Sequence, residues 1–235
     1  MSGGGFAFNG VTLIACASGA LYIPALEILA VSDLHLEKGS AHARRGRLLP
    51  PYDSRATLRA LAAAVAEHDP RRVICLGDSF DDRGAGARLG AEDLARLHAL
   101  VDGREWIWIA GNHDPAPPAI GGVCLSHYAA GPYLFRHIAD EDAAPGEISG
   151  HYHPKASVAV LGRRLTRRCF VTDGARLIVP AFGAYTGGLD VFSPALAALL
   201  KPSFFVHLLG QTRVRALPSH RLVGGGGVSA AARSR

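Results

Sequence analysis

Five times between residues 26 and 153 the chain ends a short apolar run on metal-grade polar side chains, and this recurrence limits the folds open to it. The runs cover residues 26–31, 73–76, 106–110, 133–135 and 147–149. The polar segments that follow them are Asp33-Leu34-His35, Gly77-Asp78, Gly111-Asn112-His113-Asp114, Arg136-His137 and Gly150-His151-Tyr152-His153. Short β-branched and aromatic runs read as buried strands, so each polar group is delivered where a strand stops. Strand ends that gather carboxylates, imidazoles and a carboxamide into one crevice offer the oxygen and nitrogen ligands that divalent cations accept.

The intervening sequence supplies helices. Over 53–68 Leu58, Leu61 and Val65 recur at helical spacing, Asp53 or Ser54 is placed to cap the start, and Pro70 disfavours helix at residue 69. A second helix is expected over 91–101 through Leu94, Leu97 and Leu100, closed by Gly103. Strand, helix and strand in succession imply parallel strands. Before them, 11–15 and 20–23 read as a hairpin around Ser18-Gly19. After Asp114 the texture changes. Pro115-Ala116-Pro117-Pro118 reads as a rigid loop, and strand-like segments follow at 122–125, 157–160, 169–172, 177–179, 204–208 and 214–217. A third helix is expected over 194–200, capped by Ser193 with Pro194 in its first turn. The expected class is α/β: two mixed sheets packed face to face with helices outside, in one domain over residues 1–222. The glycine run 224–227 makes residues 223–235 an expected disordered tail.

A chain of 235 residues that is 49% hydrophobic and 19% charged has the balance of a globular protein. No stretch approaches the roughly 18 apolar residues of a membrane helix. Residues 1–5 carry no basic, apolar leader, so the cytoplasm is the expected compartment and no membrane partner is expected. Cys16, Cys75, Cys124 and Cys169 stand singly and read as small buried hydrophobes, so the site is expected to be built without sulfur. Net charge is +5, with clusters at Arg44-Arg45-Arg47, Arg71-Arg72 and Arg163-Arg164-Arg167-Arg168. Such clusters either solvate a surface or attract a polyanion. The last follows His153 closely and is expected near the pocket, with Arg163 and Arg164 as substrate contacts; Lys38 is a further candidate phosphate contact. Tyr52, Tyr152 and Tyr185 could stack on bases.

Asp33 and His35 share a one-residue spacing that His151 and His153 repeat, and Asp78 has two oxygens with which to bridge cations. With Asn112 and His137 these seven groups suffice for two divalent ions about 3.5–4 Å apart. The ordered set Asp-x-His, Gly-Asp-x-x-Asp (Gly77 to Asp81), Gly-Asn-His-Asp, a lone His and Gly-His-x-His resembles the calcineurin-like metallophosphoesterase superfamily. Residues 32–40, Arg136-His137, 150–154 and 180–188 further resemble one bacterial group, the ligase-associated DNA damage response endonucleases (PdeM type).

That resemblance implies a four-layer αββα sandwich and a role for each matching position. Asp33, His35 and His153 would hold one metal, Asn112, His137 and His151 a second, and Asp78 would bridge them. His113 would serve the leaving oxygen without binding metal, and Asp114 would hydrogen-bond its imidazole. Asp81 would brace a loop or a ligand histidine. The implied activity is phosphodiester hydrolysis in DNA during repair, with hydroxide formed from a water shared by two cations. Those cations are expected to be Mn²⁺, with Fe or Zn²⁺ also compatible with nitrogen and oxygen ligands. DNA is the implied substrate, and an ATP-dependent DNA ligase and a helicase are the implied partners. Two other readings stand beside it: a small-molecule or cyclic-nucleotide phosphodiesterase, and a non-catalytic phosphoesterase-like scaffold.

Overall fold

Ile28, Leu29, Ala30 and Val31 are all fully buried, and a strand buried on both faces must lie inside a layered structure. The computed structural model, which describes residues 4–116, 120–142 and 144–224, supplies those layers. One sheet runs in spatial order β1 (Gly4–Phe8), β2 (Val11–Ala15), β3 (Leu21–Ile23), β4 (Ile28–Val31), β5 (Arg72–Cys75), β6 (Glu105–Ile109) and β7 (Val123–Leu125). Pairing is antiparallel up to β4 and parallel from β4 to β7.

The second sheet uses β8 (His127–Ala130), β9 (Tyr133–Arg136), β10 (Glu147–Ser149), β11 (Lys155–Val160), β12 (Arg163–Thr172), β13 (Arg176–Ile178), β14 (Phe205–Leu209) and β15 (Val214–Pro218). Its order is β15-β14-β12-β13-β10-β9-β8, with β11 hairpinned onto β12. Here β10 lies parallel to both β9 and β13, and the other pairs are antiparallel.

Period-two alternation decides which residues fill which layer. Ile28, Ala30, Ile74, Leu76, Ile107 and Ile109 meet Phe135, Ile148, Phe170 and Leu177 between the sheets. Their neighbours Leu29, Val31, Val73, Cys75, Trp106 and Trp108 face outward onto Leu58, Leu61 and Val65 of α2 (Asp53–His68) and onto Leu97 and Leu100 of α4 (Ala91–Val101). The short helices α1 (Lys38–Ala43) and α3 (Ala85–Arg88) lie on the same side, in the loops that follow β4 and β5. On the far side Leu196, Leu199 and Leu200 cover Val171, Ile178 and Val206. That outer layer is thin, since α5 spans only Pro194–Ala197. The order helix, sheet, sheet, helix is the expected sandwich. Among the described residues no helix is long and apolar enough to cross a membrane.

Several local expectations need correction. Asp53 and Ser54 do not cap α2: Asp53 Oδ2 accepts the Gly39 amide, and Ser54 Oγ accepts the Glu37 amide, so both tie down the start of α1. Ser193 does not cap α5 with its side chain, and the third helix stops at Ala197 rather than residue 200. Cys124 is exposed on the edge strand β7, whereas the other three cysteines are buried. The strand β1 and the helix α1 have no counterpart among the elements expected from sequence. Pro117 and Pro118 of the expected rigid loop lie outside the described residues, as does the expected tail from residue 225 onward. Val223, at the edge of that tail, donates its amide to Ser157.

Candidate metal centre

β4, β5 and β6 are consecutive parallel strands, and the second sheet brings the parallel pair β9 and β10 against them. All five polar segments therefore leave the carboxyl ends of parallel strands at one end of the sandwich, where loops have room to converge. The convergence demands unusual backbone. Asp33, His35, Asp78, His151 and His153 all have φ between 44° and 68°, a left-handed region that non-glycine residues enter at a cost of about 1–3 kcal/mol each. It also demands missing side chains. A Cβ on Gly150 would fall on Ser32 Oγ, and one on Gly77 would fall on the His137 ring.

Two clusters result, each able to offer three ligand atoms within 4.8 Å of one another: Asp33, His35 and His153; and Asp78, His137 and His151. They abut across the sheets. His137 Nε2 stands 3.4 Å from Asp78 Oδ2, its Nδ1 lies 4.0 Å from Asp33 Oδ1, and the His151 amide donates to Asp33 Oδ2 at 2.9 Å. His153 Nε2 is 3.2 Å from Asp33 Oδ1. Ser32 Oγ hydrogen-bonds the same carboxylate.

The donor chemistry fits cations rather than a hydrogen-bond network. His137 Nδ1 donates to the Leu76 carbonyl at 2.8 Å, which leaves a lone pair on Nε2 in the neutral ring. That lone pair faces Asn112 Oδ1 at 3.0 Å, the Asp78 carboxylate and His151 Nδ1 at 3.2 Å. Acceptors crowd acceptors there, with too few protons to go round. His35 is likewise buried and neither ring nitrogen makes a hydrogen bond, while Nδ1 lies 3.1 Å from Asp81 Oδ1 in an ion-pair contact. A histidine oriented by a carboxylate on one nitrogen, with the other nitrogen free, is the usual disposition of a metal ligand.

A third grouping, His35 with Asp81 and His113, could also enclose an ion. Its members are otherwise engaged, however. Asp81 Oδ1 serves His35 and, at 3.3 Å, the Lys38 ammonium. His113 Nδ1 donates to the Asp81 carbonyl oxygen at 2.8 Å, which leaves Nε2 as its proton-exchanging atom. His113 is exposed and its amide donates to Asp78 Oδ1 at 2.8 Å, so it borders the clusters without entering them.

A proton on His137 can stand where a cation would: burial lowers the pKa of its ring, but hydrogen bonding to Asp78 and the charges of Asp33 and Asp78 outweigh it and raise the ring above its ordinary value. Burial works against ionisation of Asp78, but hydrogen bonds and charge from His137, with the His113 amide, outweigh it and hold the group down to about 2. Burial is similarly outweighed at Asp81 by His35 and Lys38, again to about 2, and at Asp33 by His153 and His137. Asp114 goes the other way: burial and the nearby charge of Asp78 push it up to about 7 despite the Phe80 amide.

The expected contact between Asp114 and His113 is absent. Asp114 Oδ2 instead accepts the Phe80 amide at 3.0 Å, which fixes the segment whose next carbonyl, that of Asp81, orients His113. Its influence on the imidazole is indirect. Lys38, expected to meet phosphate, is held by Asp81. Arg163 and Arg164 are carried away from His153, because the β11–β12 hairpin pairs Lys155 with Arg168 at its base and Val160 with Arg163 at its tip. Five residue steps put that tip about 17 Å further along the strand. Arg164 also lies 3.4 Å from Asp190. Tyr52 and Tyr185 are exposed, whereas Tyr152 packs against the outer core.

Sequence reasoning missed Arg168 as a brace. Its guanidinium donates to Ala181 (2.6 Å), Phe182 and Ser18, and the adjoining Phe182 and Gly183 amides hold the carbonyls of Ser32 and Asp33. In the sequence it is one arginine of a cluster, and nothing local sets it apart.

Comparison with known proteins agrees with this geometry. The family model of the calcineurin-like phosphoesterases matches residues 26–176. No curated protein matches the sequence. Among solved structures, the nuclease MPE of Pseudomonas putida is similar, with a TM-score of 0.69 and 30% identity over 92% of this chain and 100% of that one. A phosphoesterase of E. coli, Yfce, aligns over 81% of this chain and 97% of its own, with a TM-score of 0.41 and 14% identity.

Proposed function

Since the chain belongs to the calcineurin-like phosphoesterase family and is a metal-dependent phosphoesterase, we propose that it is a nuclease that hydrolyses phosphodiester bonds in DNA at a two-metal centre. The observation that carries this reading is the pair of abutting clusters at the strand ends, bordered by a histidine that belongs to neither. Asp33, His35 and His153 would hold one cation, and Asn112, His137 and His151 the other, with Asp78 between them. Cations so held would acidify a water and offset the charge of the phosphoryl oxygens. Mn²⁺ is the ion we expect, and a setting in DNA repair, with ligase and helicase partners, extends the same proposal.

The remaining steps belong to side chains of the chain itself. Asp81 fixes the His35 ring, and the Leu76 carbonyl fixes that of His137, so each presents its other nitrogen to the centre. The Asp81 carbonyl holds the His113 ring by Nδ1, leaving Nε2 to hand a proton to the departing alkoxide. An alkoxide is a poor leaving group, so a positioned acid matters more for DNA than for activated aryl esters. Similarity to a nuclease over the whole of that protein's length supports DNA over a small-molecule diester.

The test sets covalently closed single-stranded DNA circles against bis-para-nitrophenyl phosphate and cyclic nucleotides, each with a panel of divalent metals. Linearised circles are the expected product. Hydrolysis of the cyclic nucleotides with intact circles would return the chain to the small-molecule phosphodiesterases.

A further inference from the structure

The two hollows that meet at Asn112 differ in charge. The one on the His113 side measures about 610 Å³ and is lined by Arg44, Arg45 and Arg83 along with Asp81 and Asp82. Both carboxylates are already engaged. Asp81 serves His35 and Lys38, while Asp82 receives both Arg88 amino groups at 2.9 and 2.8 Å, with Arg88 Nε anchored on Ser40 Oγ. Among the described residues the side chains of Arg44, Arg45 and Arg83 make no hydrogen bond or ion pair, and all three are exposed. The hollow on the other side, about 390 Å³, has a single arginine, Arg136, committed to Asp140 at 2.7 Å and Glu147 at 3.4 Å. Uncommitted positive charge thus lies on one flank only, next to the histidine that serves the leaving oxygen.

We propose that Arg44, Arg45 and Arg83 form a subsite for the phosphate that neighbours the scissile one on the departing side of a DNA strand. This inference rests on the nuclease reading given above and adds polarity to it. Guanidinium groups suit the role because their planar forks match phosphate oxygens two at a time. Arg88 matters here as well, since it takes the hydrogen bonds of Asp82 and leaves Arg44 only a longer-range attraction to that carboxylate. A diester with no adjacent phosphate would leave this subsite empty.

The experiment compares the wild type with the double variant Arg45→Gln/Arg83→Gln and its charge-preserving counterpart Arg45→Lys/Arg83→Lys. The substrates are bis-para-nitrophenyl phosphate, single-stranded DNA, and the thymidine dinucleotide with an extra phosphate at its 5′ end, its 3′ end or neither. The glutamine variant should lower the ratio of kcat/KM for DNA over the aryl diester roughly tenfold, mostly through KM, since each 1.4 kcal/mol of lost binding is tenfold. Its salt dependence should flatten by about 0.7 for each phosphate that is no longer neutralised. In the wild type the extra phosphate on the departing fragment, identified from the products, should lower KM. That gain should vanish with glutamine and return with lysine. An unchanged substrate ratio, or an equal loss on every substrate, would overturn the subsite. A wild type that hydrolyses the aryl diester and no DNA or dinucleotide would instead overturn the nuclease reading beneath it.

Discussion

His113 and the left-handed residues around it divide the labour of the site. Asp33, His35, Asp78, His151 and His153 accept strained backbone so that their side chains converge, and the surrounding strands hold them there. His113 has no such strain; its amide donates to Asp78 and its ring meets that of His35 edge-on, with centroids 5.2 Å apart. Removing its imidazole should therefore spare the ligands. His113→Ala is expected to keep its full metal content, measured by elemental analysis, and to lose about 10²-fold or more in turnover on DNA, the contribution of a positioned acid. Crowding predicts the opposite pattern at Gly150. A methyl group there meets Ser32 Oγ and comes within 2.8 Å of Asp33 Oδ2, so Gly150→Ala should lose about 1–3 kcal/mol of stability in urea titration, and bound metal with it. These residues are largely legible in the sequence, because Asp, Asn and His at the ends of apolar runs have little other reason to recur. The partner of Asp114 is not. Phe80 lies 34 positions away and offers only a backbone amide, which no sequence pattern marks.

At the scale of elements, polar punctuation makes α2 and α4 readable to the residue, through Pro70 and Gly103. Only four of the ten residues of β12 read as strand, since its first half is an exposed, arginine-rich hairpin arm with no apolar alternation. Arg168 at the base of that arm is half-buried among carbonyls with no carboxylate, and that burial lowers its pKa. Replacing it strips donors from the segment that holds Ser32 and Asp33. Arg168→Met should weaken Mn²⁺ binding about tenfold by calorimetric titration, as loss of outer supports does elsewhere.

β14 carries a buried group, His207, whose ring lies 4.0 Å from that of Phe6 on the opposite sheet. Burial lowers its pKa from 6.5 to about 4. Below pH 6.5 the unfolded chain takes up a proton that the folded chain refuses, so stability is lost as pH falls from 6.5 towards 4. The loss is on the order of 3 kcal/mol at the acid end. His207→Phe should abolish that share: its stability relative to the wild type, measured by urea unfolding, should rise steadily between pH 6.5 and 4 and stay level above 6.5.

The whole molecule works as a clamp of two sheets. Apolar alternation predicts the layers, yet the order β15-β14-β12-β13-β10-β9-β8 is not legible, because pairing between short strands is settled by tertiary packing rather than local pattern. What the sandwich achieves is proximity: the first sheet supplies Asp33, His35, Asp78 and Asn112, the second His137, His151 and His153, and neither sheet holds a complete set. The central claim is that these seven groups bind two ions with Asp78 between them. Counting Mn²⁺ per chain by elemental analysis after equilibrium dialysis tests it most directly. Two ions are expected in the wild type and in His113→Ala, and fewer than one in Asp78→Ala with DNA cleavage lost. An Asp78→Ala chain that keeps two ions, or a wild type that cleaves DNA after all metal is stripped, would contradict it.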